Sequence, residues 1–122
     1  MRADIVIRQL EKALERLAWD AEKQIDFISR LRVGVDELAL EFDDAFRPVS
    51  GLTRDGTMPK SVTKALDSVD KILTEMTRSP EAEWTPTAVR NSQSWKILRN
   101  TARESLNLLR EVEIDIDSSS EE

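Results

Sequence analysis

The chain has 122 residues, a net charge of −6, no cysteine and no histidine. Its length suits one domain with a core that needs no staples. Without cysteine there are no disulfides or thiolate metal sites, and without histidine the commonest general base, metal ligand and pH switch are gone. Three glycines and no GxxxxGK[ST] or GxGxxG run leave no phosphate-cradling motif. No apolar run approaches the roughly 20 residues that a membrane-spanning helix needs. Arg2 is followed by no uninterrupted apolar stretch of the kind a secretory signal carries, so a cytoplasmic location is expected. The acidic balance disfavours nucleic acid as a partner of the whole surface, because phosphate contacts need clustered Lys and Arg.

Residues 7–45 carry the strongest pattern. One column reads Ile7, Leu14, Ala21, Ile28, Val35, Phe42, and the other reads Leu10, Leu17, Gln24, Leu31, Leu38, Ala45. Only Gln24 is polar. This alternation of three and four is a heptad seam on a helix that wants a partner helix. The spacing predicts a helix over about 4–46, ended by Arg47-Pro48, since the residue before proline avoids helical geometry. Val33-Gly34-Val35 is the one internal defect. A mid-helix glycine costs about 1 kcal/mol relative to alanine, and Asp36 is placed to cap a restarted helix. The seam's unbroken phase favours one continuous helix, while the local chemistry favours a kink or break at Gly34. A continuous helix of about 43 residues spans roughly 65 Å, far beyond the radius of gyration near ~14 Å of a domain this size.

The column opposite the seam should be polar, yet it reads Ile5, Lys12, Trp19, Asp26, Val33, Leu40, Arg47. A helix that is apolar on two sides is buried on two sides. Trp19, Val33 and Leu40 therefore ask for a second neighbour. That neighbour is either another helix of the same chain or a surface on a partner.

Residues 47–60, punctuated by Pro48, Gly51, Gly56 and Pro59, read as a loop. A second helix is expected over 61–78, with Val62, Leu66, Val69, Leu73 and Met76 on its buried face. Thr85-Pro86 is a clear helix start, an N-cap followed by proline at the first helical position. The third helix should then run to about Val112, with Trp95 plugging the core beside Ala102. Residues 1–117 form the expected domain, and 118–122 an acidic, disordered tail. The expected fold is all-α: an elongated hairpin or bundle of one long and two shorter helices, or a four-helix bundle if the first helix breaks at Gly34.

Candidate chemistry is sparse. Glu37 and Glu41 lie one turn apart, and Asp67 and Asp70 share a face of the next helix. Facing carboxylates in a bundle can hold Mg²⁺ or Mn²⁺. Acidic pairs on successive helices resemble those of the all-α nucleoside triphosphate pyrophosphohydrolases of the MazG type, which carry an ExxE pair and then an ExxD pair. The resemblance covers at most residues 34–75. Here the spacings are ExxxE and DxxD, and only Asp70 matches the final acid in kind and place. It implies a metal-dependent nucleotide pyrophosphohydrolase using Glu37, Glu41, Asp67 and Asp70, the alternative to a protein without catalysis or cofactor.

Lys96, Arg99, Arg103 and Arg110 form a basic stripe on the third helix, suited to an acidic neighbour in the chain or on a partner. The hydroxyls of Ser50, Ser61, Ser92 and Ser94 have no histidine to activate them. The leading expectation is therefore a non-enzymatic protein–protein interaction module. It would be a homodimer of the small regulatory, adaptor, or antitoxin or immunity type. Its partner is itself or another protein, with Trp19, Val33, Leu40, Lys96, Arg99 and Arg103 as the partner surface.

Overall fold

A computed structural model describes residues 3–78 and 83–120, with side chains as far as Val112. It is all-α. The order is α1 (Ala3–Ala18), α2 (Ala21–Leu31), α3 (Glu37–Phe46), α4 (Val49–Arg54), α5 (Lys60–Met76), α6 (Pro86–Asn91) and α7 (Gln93–Ser120). Four helices make the bundle. α1 packs on α7 and α3, and α5 packs on α7 and, more lightly, on α3. α2 and α6 pack on each other beyond the end of α1, and α4 packs on α5. One apolar cluster runs through all of these elements.

The expected long first helix is not continuous. It breaks at Trp19–Asp20 and again over 32–36, so the four-helix form is the one adopted. The seam survives both breaks. Ten of its twelve positions are buried, Ala21 is half-buried, and Leu31 alone is exposed. The first break has a local cause that the heptad phase conceals. Asp20 is extended (φ −63°, ψ 161°) and accepts a hydrogen bond from the Lys23 backbone N–H at 2.9 Å, the N-cap of a new helix. The second break begins at Arg32, whose φ of +56° is left-handed. The Val33 N–H reaches the Ile28 carbonyl at 3.1 Å and the Arg32 N–H reaches that of Ser29 at 3.2 Å, so α2 ends in a Schellman-type turn. That geometry favours glycine and costs an L residue about 1–2 kcal/mol. Arg32→Gly is therefore expected to raise stability by about 1 kcal/mol. A urea titration checks this, and a midpoint below wild type would contradict it.

Two further boundaries differ from expectation. Within 47–60, residues 49–54 are helical, because Val49 and Leu52, three apart, both reach the core. The third helix is divided at Ser92, which is extended (ψ 136°) and whose hydroxyl accepts from the Ser94 N–H at 3.2 Å to cap α7. Thr85 caps α6 through the Ala88 N–H at 3.1 Å. α7 then continues past Val112 to Ser120, so 118–120, expected in the tail, are helical. Residues 121–122 lie outside the described residues.

Candidate functional site

α1 and α7 run antiparallel, and polar pairs mark the contact: Glu11 with Arg110 at 3.7 Å and the Ala18 carbonyl with Arg103 at 3.2 Å; just beyond it, Gln24 of α2 pairs with Arg99 at 3.0 Å. The expected basic stripe is thus largely turned to the fold's own use. Arg99 Nη1 donates to Gln24 Oε1 and to the Val89 carbonyl at 2.9 Å, tying the end of α6 to α2. Burial lowers the Arg99 pKa from its ordinary value, Asp20 opposes that shift and Arg103 adds to it. Arg90, on α6, pairs with Glu22 of α2 at 2.7 Å. Lys96 is exposed. The acidic neighbours of the stripe are Glu11, beside Arg110, and Asp20, which acts on Arg99.

Gln24, the one polar residue of the seam, is fully buried. Its Nε2 donates to the carbonyls of Arg16 and Leu17, each at 3.0 Å. A helix end leaves its last four carbonyls without helical partners. At the end of α1, the Trp19 N–H takes that of Glu15, Gln24 takes those of Arg16 and Leu17, and Arg103 takes that of Ala18. The first break is fastened on all four.

Around it sits a cluster of aromatic and charged groups. Trp19 meets Phe27 edge to face with centroids 5.4 Å apart, and the Lys23 Nζ lies 4.6 Å over the Trp19 ring. The Arg16 guanidinium lies 4.5 Å over Phe27 and pairs with Glu41 of α3. Trp19 is therefore half-covered by its own chain. Val33 and Leu40 are not: they are 37 % and 50 % exposed, and Leu31 is 55 % exposed. The other exposed large apolar side chains among the described residues are Ile5 and Ile97. Three of the five thus fall between positions 31 and 40, at the corner joining α2 to α3. Leu31 belongs to the seam, so sequence placed it inside. It is exposed because the chain reverses immediately after it.

The acidic quartet is not assembled into a metal site. Glu37 and Glu41 line a groove of about 400 Å³ on the α1 side of α3, with Gln9, Lys12 and Asp44, and Glu41 is held by Arg16. Asp67 lines a separate groove with Phe46, Val49 and Thr53. Among the described residues no group of three or more acidic side chains is placed to hold a metal ion. The reason is rotational: positions 37 and 41 face α1, whereas Asp43, on another side of α3, acts on Asp70 of α5. Burial, then Asp43 and Asp67, raise the Asp70 pKa above its ordinary value. A carboxyl raised in the folded state weakens the fold once ionised, and that penalty fades as pH falls through the folded value.

Residue-by-residue reading missed the joint work of Arg16, Gln24 and Arg99. The available signal was Gln24, since an amide on an apolar seam has to find partners inside. Among the described residues no helix is long and apolar enough to cross a membrane. The chain matches no protein-family model, and no curated protein or solved structure is significantly similar to it.

Proposed function

We propose that the chain is a non-enzymatic protein–protein interaction module, a cytoplasmic homodimer of the regulatory, adaptor or antitoxin type. It docks through the α2–α3 corner. The observation that supports this reading is the run of uncovered apolar side chains, Leu31 at the end of α2, Val33 in the turn and Leu40 in α3, in an otherwise well-buried bundle. Apolar residues scattered singly on a surface ask for no partner, but a group of them does.

Size-exclusion chromatography with light scattering tests the reading. The wild-type chain is expected to be a dimer at micromolar concentration, and the Leu31→Asp, Leu40→Asp double variant a folded monomer. Both positions are exposed in the protomer, so the variant should keep its helical circular dichroism. A wild-type chain that stays monomeric, or a double variant that associates as tightly as wild type, would overturn it.

A further inference from the structure

We infer that residues 32–36 are a hinge across which two copies of the chain exchange their α1–α2 arms. The inference rests on the homodimer reading and specifies how the second copy is held. The two breaks in the first 46 residues are unlike each other. The one at Trp19–Asp20 is fastened by the Asp20 cap, by Gln24 and by Arg103. The one over 32–36 is held by the backbone hydrogen bonds of its Schellman-type turn and by buried Val35, with no side-chain cap of the kind Asp20 supplies. Asp36, at the start of α3, makes no side-chain cap hydrogen bond, and its backbone (φ −61°, ψ −18°) is already helical. Arg32 is held in a left-handed conformation that glycine favours, and Val33 and Gly34 are exposed.

The sequence through this turn also describes a different path. Leu31, Val35, Leu38 and Phe42 keep the three-four spacing across it, so the helical state of 32–36 joins α2 to α3 with the seam in phase. That state relieves Arg32 and carries the arm, residues 3–31, away from its own bundle. On a second copy the arm finds the same α7 and α3 surfaces it leaves, which is why such an exchange between identical chains sacrifices little. Leu31, a seam residue stranded at the surface by the turn, rejoins the seam. Val33 and Leu40, seven residues apart, fall on one side of the fused helix.

The chain has no cysteine, so the test has a silent background. Glu11 and Arg110 face each other across α1 and α7. Chains carrying only Glu11→Cys and chains carrying only Arg110→Cys are unfolded together, refolded and treated with a short bismaleimide. Exchanged arms put the two thiols on different chains and give covalent heterodimers. Gly34→Ala favours the helical hinge; in the turn the added Cβ would displace only the movable end of the exposed Asp36 side chain. Placed in both chains, and read at a dilution where wild type is mostly monomeric, it should raise the covalent fraction by about tenfold; at micromolar concentration Arg32→Gly should lower it by about tenfold. A covalent fraction that neither substitution moves would overturn the exchange. So would a dimer by light scattering that yields no interchain product, an outcome that leaves the docking surface standing. Loss of the wild-type dimer itself would instead count against the interaction module.

Discussion

Gln24→Leu is expected to lower the stability of the protein by about 3 kcal/mol, although leucine is what the heptad pattern asks for at that position. The amide is fully buried, and it serves three groups: the carbonyls of Arg16 and Leu17, and the guanidinium of Arg99. Leucine fills similar space and serves none of them. A buried polar group stripped of its partner costs about 1–3 kcal/mol, more when it is charged. Added apolar burial recovers part of that, at roughly 25 cal/mol per Å². Two carbonyls left without a partner, and a guanidinium left with the Val89 carbonyl alone, outweigh one better-buried side chain. In a domain of this size the loss corresponds to a melting temperature lower by roughly 10 °C. Urea titrations of wild type, Gln24→Leu, Arg99→Met and the double variant separate the contributions. The double variant should cost less than the two single changes added together, because removing Arg99 also removes one of the groups left unsatisfied. A Gln24→Leu protein more stable than wild type would show that the seam, not the helix end, governs this position.

Trp95→Ala should be more damaging still, by about 4 kcal/mol, which leaves little of a typical domain's stability. The ring is the largest fully buried side chain, and its indole N–H donates to the Glu83 carbonyl at 2.7 Å. The same ring packs edge to face on Trp84, centroids 5.7 Å apart, so its loss frees the approach to α6 as well as opening a cavity. Trp95→Phe removes the hydrogen bond and part of the volume, and should cost about half as much. Thermal denaturation followed by far-ultraviolet circular dichroism orders the three proteins. A Trp95→Ala variant that melts within a few degrees of wild type would mean that the site collapses around the smaller side chain.

The apolar seam was legible from spacing alone, and so were its buried columns, the α5 face and the Thr85-Pro86 start of α6. Periodicity reports which side of a helix faces inward, and that survives when the helix is cut, provided the pieces fold back in phase. For the same reason it conceals the cuts. Nothing in the columns distinguishes a straight rod from α1, α2 and α3 folded on one another; Gly34 as a weak point and Asp36 as a cap hinted at the second break, and the first, capped by Asp20, went unread. The column opposite the seam is covered unevenly. Val33 and Leu40 are exposed where the opposite column put them, whereas Trp19 is half-covered by Phe27 and Lys23. Arg99 and Arg103 could not be read correctly from their own helix, because Gln24 and the Ala18 carbonyl, which they hold, are more than seventy positions away. The acids of α3 and α5 failed to converge for a reason that spacing on one helix cannot express: the rotation of each helix about its own axis is set by the core.

The antiparallel pairing of α1 with α7 has a bearing on synthesis. α1 finds its largest neighbour in α7, which is synthesised long after it. Until α7 emerges, Leu10, Leu14 and Leu17 stay wet and available to wrong partners. Local helices can form early, but closure of the bundle joins the two ends of the chain, the kind of long-range step that slows folding and invites aggregation. A nascent chain stalled before residue 95 should therefore bind holdase chaperones that the released protein ignores.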